Sequence, residues 1–288
     1  MRLSAEKIVS NIKNILTFPG ACIQLIDMLE NDTCDAGELA GVVALDPGLA
    51  GQLLRYANSP VFGYSKRVDT IERAIVVIGM NSLSDVLIAM SMLQTFSRPM
   101  GHELLSRILW RHSVMTACVA KVLAARCNVL HRERLFAAGL LHDLGLMAMV
   151  HNIPDELDVY FAHQAKDEAS VVRLIDSYMN CNHCEVGALL MDHWLLPETL
   201  RDVSQFHHVP RISEQHSLEI CIIHLADKIA DHIDDRDRED PDAPLSDSLR
   251  SVDQYIWEVT GLGASELDDV VGIAISDFVA NESLFMLR

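Results

Sequence analysis

Aromatic residues are scarce in this chain: they make up 6% of its 288 residues, although half of all residues are hydrophobic. Positive charge is scarce as well, with 23 Lys and Arg facing 41 Asp and Glu, a formal net charge of −18. An acidic balance of that size repels phosphate backbones at long range and argues against nucleic-acid binding. Glycine-rich phosphate loops and a Gly-x-Ser-x-Gly elbow are both missing, which removes P-loop and nucleophile-elbow chemistry. No uninterrupted apolar run reaches transmembrane length, so no membrane association is expected. The N-terminal "MRLSAEKIVSNIKNIL" reads as an amphipathic helix, not as a secretory signal. No sustained alternation of period two supports strands. The seven cysteines are odd in number and scattered, so reduced thiols and a cytoplasmic location are expected.

What is present points to helices. Leu, Ala, Ile, Met and Val dominate, and capping signals recur. In "DPGLAGQLLRYANSP", Asp46 is the expected N-cap, Pro47 the first helical residue, and Asn58-Ser59-Pro60 the stop. "DTIERAIVVIG" offers Asp69 with Glu72 at capping-box spacing, and "NSLSDVLIAMSMLQTF" offers Ser82 with Asp85. "SRPMGH", Ser97 to His102, breaks the pattern. It divides the chain into an N-terminal helical subdomain, residues 1–100, and a second helical subdomain, residues 101–288. The acidic, proline-bearing run from Asp231 to Asp247 reads as a solvated loop.

The chemistry-bearing residues stand out by their position on helices. "GLLHDLGLMAMV", Gly139 to Val150, is nearly all apolar, yet holds His142 and Asp143 side by side. Ionisable groups in such a segment are costly to bury unless something satisfies them. His112 follows Leu105, Ile108 and Leu109 at helical spacing, which puts it on an apolar face. Leu200, Val203 and His207 share a stripe in a helix opened by Pro197, with His208 about 100° round. Asp227 follows Ile220, Ile223 and His224 at spacings of seven, four and three, and a carboxylate on such a stripe is unusual. Asn182 and Glu185 form an N-cap pair, and His183 leads into Val186 and Leu190. If these faces meet, His112, His142, Asp143, His183, His207, His208 and Asp227 converge. Imidazole and carboxylate together suit divalent iron, manganese or zinc. Each histidine taken alone is more often a hydrogen-bonded core residue than a ligand.

Several of these motifs resemble those of the HDOD family, the HD-related output domain: "HS" at His112, "GLLHDLG", "HCEVGALLMDHWLLPE" and "HH" at His207-His208. The first half is similar to that family as well, through "FPGACIQLIDMLEND", "ELAGVVALDPGLAGQLLRYANSPVFG" and "TIERAIVVIGMNSL". The resemblance implies an all-α protein, an N-terminal helical bundle packed on a core related to the HD phosphohydrolases. It also implies a bacterial signalling module, of the kind carried with receiver or sensory domains. Mapped onto the HD pattern, His112, His142, Asp143 and Asp227 fit the metal ligands. His183, His207 and His208 match extra metal positions of the related HD-GYP phosphodiesterases. Two HD-GYP features are missing: the lysine three residues after the aspartate is Leu146 here, and "HHVPRIS" replaces the Gly-Tyr-Pro motif. A cation where phosphate charge develops contributes on the order of 3 kcal/mol of barrier lowering, so its loss argues against cyclic di-GMP hydrolysis. Arg111, Arg211 and Lys228 are the available substitutes.

The expectation is therefore a signal-transduction output or regulatory module that binds a signalling protein partner or a small ligand, with a divalent metal as the one implied cofactor. The alternative is a metal-dependent phosphohydrolase or phosphodiesterase, with water activated at His142 and Asp143. The lone CxxC of Cys181 and Cys184 lacks the second pair of a zinc ribbon, and reads as two small residues beside a turn. "ELAGVVALDPGLAGQLLRYANSP" resembles a helix-turn-helix in outline, but offers only Gln52, Arg55, Tyr56 and Asn58 as readers, with too little cationic support for a DNA groove.

Overall fold

The computed structural model describes residues 4–12, 20–30, 34–59, 67–96, 103–130, 132–153, 168–179, 181–238 and 244–285. Among them there are helices and turns and no strand. The first half comprises α1 (Ala5–Ile12), α2 (Gly20–Glu30), α3 (Ala36–Val43), α4 (Pro47–Ala57), α5 (Ile71–Ile78) and α6 (Met80–Phe96). The second comprises α7 (Glu103–Arg126), α8 (Arg132–Leu141), α9 (Leu144–Val150), α10 (Glu168–Met179), α11 (His183–His193), α12 (Glu198–Phe206) and α13 (Ser217–Arg238). The short α14 (Leu245–Ser248), α15 (Gln254–Thr260) and α16 (Asp268–Phe285) follow. The pattern break at Ser97 to His102 lies outside the described residues.

Local chemistry explains most of the helix starts. Asp46 caps α4 by accepting from the amides of Gly48 and Leu49, with Pro47 at the first helical position. Asp35 and Glu38 close a full capping box on α3. Asn182 caps α11 through the Cys184 amide. Two expected caps are corrected. Thr70, not Asp69, caps α5, accepting from the Arg73 amide. α6 already begins at Met80, so Ser82 lies inside it and its hydroxyl reaches Glu133 Oε2 at 3.2 Å.

The acidic stretch from Asp231 is also corrected. α13 runs on to Arg238, so the first part of that stretch is helix. Asp234 is buried there and ion-paired with Arg111. A charge run reads as a loop only when its charges face water, and this one has a buried face.

α2 to α6 pack on one another, and α6 joins them to the second half by packing on α8. α1 instead packs on α9 and α11, and Asn11 Nδ2 donates to Asn152 Oδ1 at 2.9 Å. α7 is the central element of the second half, with α8, α13 and α16 against it. By length and mean hydropathy α7 could cross a membrane, but 78% of its apolar window is buried inside the fold. Two glycines set how closely the helices approach. A Cβ on Gly145 would lie 1.9 Å from the His183 carbonyl oxygen, which lets α9 cross α11 in direct backbone contact. A Cβ on Gly139 would lie 2.8 Å from Ala117 Cα, which presses α8 onto α7.

Candidate metal centre

Those close approaches deliver all seven sequence-predicted residues to one place. His112 comes from the middle of α7, and Asp227 from α13 beside it. His142 and Asp143 occupy the two-residue break between α8 and α9. His183 is the first residue of α11, and His207 and His208 follow the end of α12. Six of the seven are buried, and His208 reaches the surface. Ring centroids are 5.5 Å apart for His112 and His142, 5.1 Å for His142 and His207, 5.9 Å for His183 and His207, and 4.0 Å for His207 and His208.

Asp143 is at the N-cap position of α9, where an aspartate normally accepts from the first-turn amides. Its side chain makes no such bond. The carboxylate turns into the cluster, with Oδ1 3.4 Å from His183 Nε2 and 3.5 Å from His207 Nε2, and Oδ2 3.6 Å from His142 Nε2. Asp227 Oδ1 lies 3.1 Å from His112 Nε2 and 3.8 Å from His142 Nε2. Apart from the His112–Asp227 contact, these separations are too long for good hydrogen bonds. They match the spacing of neighbouring ligands around one ion held at roughly 2.0–2.2 Å.

Three of the rings are oriented from behind. His142 Nδ1 donates to the Gly139 carbonyl at 2.7 Å, and His207 Nδ1 to the Ser204 carbonyl at 3.0 Å. His183 Nδ1 faces Asp176 Oδ2 at 3.4 Å. With Nδ1 committed as the donor in His142 and His207, their Nε2 is left as a lone-pair acceptor aimed inward, the tautomer a metal needs. The His142 carbonyl itself accepts from Ser204 Oγ at 3.0 Å. His142 Nε2, Asp143 Oδ1, His207 Nε2 and Asp227 Oδ2 are buried without a hydrogen-bond partner. Buried polar atoms are rarely left so, and His142, Asp143 and His207 fall in one group of ligand atoms that could hold a cation.

The rings and carboxylates also set one another's charge. Burial pushes the His142 ring down to about 4, against the upward pull of Asp143. Burial would raise the Asp143 carboxyl, but His142 and His183 outweigh it and hold it well below the usual range. Asp227 is likewise held down against burial by His112 and His142. His183 is pushed up to about 12, since Asp143 and Asp176 overcome its desolvation, so its Nε2 carries a proton that a bound ion would displace.

The ligand-bearing atoms fall into three overlapping groups: His112, His142 and Asp227; His142, Asp143 and His207; and His183, Cys184, His207 and His208. The last includes a residue that the sequence reading set aside, Cys184, whose Sγ is 3.4 Å from His183 Nε2. Two further carboxylates were hidden by the loop reading of α13: Asp231 and Asp234 lie 3.8 and 3.6 Å from His112 Nδ1. Their signal was the i, i+4, i+7 spacing from Asp227.

Of the three candidate cations, Arg111 is ion-paired with Asp234. Arg211 pairs with Asp253 at 2.5 Å and stacks over Tyr255. Lys228 Nζ stands at the cluster's edge, 3.8 Å from Asp227 Oδ2. Leu146, in the place of the HD-GYP lysine, is fully buried.

An all-helical fold around a buried histidine–aspartate centre defines the class. The model of the HDOD domain matches residues 15–210, more than half of the chain, and the chain belongs to that family. An uncharacterised protein of Treponema pallidum (strain Nichols) is 26% identical over 230 residues, covering 77% of this chain and 43% of that protein. This chain therefore spans less than half of that relative's length. Among solved structures, an HDOD domain protein of unknown function from Geobacter sulfurreducens superposes with a TM-score of 0.70 at 21% identity, covering 98% of this chain and 97% of that one. A candidate phosphohydrolase from Shewanella amazonensis SB2B gives 0.67 at 23% identity, covering 96% of each chain. A candidate signal transduction protein from Marinobacter aquaeolei VT8 gives 0.69 at 18%, covering 96% of this chain and 60% of that one. At these identities the superpositions speak for the fold.

Proposed function

We propose that this chain is a signal-transduction output module that holds a divalent metal at its histidine–aspartate centre and acts by binding a protein or small ligand rather than by turnover. The observation that carries the metal is the set of buried atoms without a hydrogen-bond partner on His142, Asp143 and His207, three residues whose ligand atoms converge. His112, His142, Asp143 and Asp227 would hold a first ion, and His183, His207 and His208 a second, with Asp143 facing both. A bound metal supplies fixed positive charge and Lewis acidity there. Because the ligands come from α7, the α8–α9 junction, α11, α12 and α13, the two ions together would tie five segments, and their affinity is coupled to the packing of those segments. The regulatory part rests on family membership and on the apolar Leu146, fully buried where a phosphate-facing cation would be required.

The test is elemental analysis of protein purified without chelator, followed by assays against nucleotide esters and cyclic dinucleotides with His142→Ala as control. Bound iron, manganese or zinc with no turnover is the expected result. A metal-free, well-folded protein would sink the metal centre. Turnover abolished by His142→Ala would replace the module with the second reading, a metal-dependent phosphohydrolase. Lys228 at the edge of Asp227 is the feature that favours that reading.

A further inference from the structure

Resting on the reading of the cluster as a metal centre, we propose that its outer half is a Cys-His₃ zinc site formed by Cys184, His183, His207 and His208. One ligand atom from each of the four lies within 4.8 Å of every other. Around a tetrahedral zinc, with nitrogen at about 2.0 Å and sulfur at about 2.3 Å, ligand atoms sit roughly 3.3–3.6 Å apart. Cys184 Sγ and His183 Nε2 are already 3.4 Å apart. His207 Nε2 is fully buried and without a hydrogen-bond partner, while its Nδ1 is held by the Ser204 carbonyl. Cys184 is itself buried, on the first turn of α11, one residue after His183. Cys181 shows no such placement: it is half-buried and faces the Asn182 carbonyl. His208 is at the surface, so this side of the group reaches solvent.

The sulfur divides the centre by chemistry. A thiolate with three imidazoles prefers zinc, whereas the inner half, with Asp227 and Asp143 beside His112 and His142, suits iron or manganese as well. The two halves thus differ in which metal they retain, although they share His207 and Asp143 as a common wall.

The test loads the chelator-stripped full chain with cobalt(II), then displaces it with zinc. The expected result is thiolate-to-cobalt charge-transfer absorption in the near ultraviolet. It is lost in Cys184→Ala and Cys184→Ser, kept in Cys181→Ala, and accompanied by an at least ~10-fold weaker zinc affinity in both Cys184 variants. Far-ultraviolet circular dichroism shows that the variants fold, and the serine variant preserves side-chain size if alanine does not. Cobalt bound without the charge-transfer band, or a band that survives loss of Cys184, overturns this inference and leaves the metal centre standing. Failure to bind cobalt or zinc at all overturns both.

Discussion

His207 Nε2 and Asp143 Oδ1 stand 3.5 Å apart in the protein interior, and neither has a hydrogen-bond partner. They come from the end of α12 and the start of α9, so the contact exists only because the chain folds back on itself. Two acceptors facing each other across such a gap are what the proposed cation would join. Chelation lowers the melting temperature of the native protein, and added metal restores it. At a free-metal level 100 times Kd, binding contributes about 2.7 kcal/mol. For a chain of this size that corresponds to roughly 5–10 °C. Asp143→Ala abolishes the chelator-dependent shift in differential scanning fluorimetry; a variant that keeps it speaks against the centre.

Asp176 meets the site through His183, whose Nδ1 lies 3.4 Å from Asp176 Oδ2. It is a positioning residue, and such outer partners are worth about 10–100-fold in metal affinity. Asp176→Ala weakens zinc binding by that factor in competition with a chromophoric chelator, while Asp176→Asn recovers part of the loss. Equal affinity in all three proteins would show that His183 needs no support from behind.

Gly145 is where the backbone geometry of the site is most exposed to mutation. An added methyl meets the His183 carbonyl oxygen at 1.9 Å and the Gly187 nitrogen at 2.5 Å, and both are backbone atoms that cannot swing aside. Gly145→Ala destabilises the fold by about 3 kcal/mol or more and lowers metal content with it. Denaturant midpoints paired with elemental analysis read both effects, and an unchanged midpoint contradicts the packing of α9 on α11.

Asp85 provides a pH dependence remote from the metal centre. Burial pushes its carboxyl up to about 6, with Arg134 opposing and Glu133 adding. In the unfolded chain the group titrates near its ordinary value of about 4. Between those values the folded protein holds a proton that the unfolded chain has released. Asp85 therefore costs no stability below about pH 4, and the full penalty is reached above about pH 6. Asp85→Asn is expected to raise stability at pH 7.5 by up to about 3 kcal/mol and to change it little at pH 4. Urea unfolding at the two pH values decides the matter, and an equal effect at both would exclude a titrating Asp85.

Much of the helical architecture was legible because its signals are local. Asp46 before Pro47, and Asn182 before His183, carry their capping chemistry within one turn. The misread starts at Asp69 and Ser82 fail for a related reason: several residues near a helix start are able to cap, and the one whose backbone turns extended is chosen by packing. α13 was cut short because its acidic residues were counted as solvated, when Asp234 is buried against Arg111. That error also hid Asp231 and Asp234 behind His112. Cys184 was passed over because a lone CxxC carries little meaning until the histidines around it are located.

By itself the sequence determined that the chain is helical and that His112 and Asp227 lie on apolar helix faces, since both follow from side-chain spacing at 3.6 residues per turn. Only the tertiary structure decided that those faces share one centre. Convergence depends on how closely the helices cross, and that is set by contacts such as Gly145 against His183, between residues far apart in the chain.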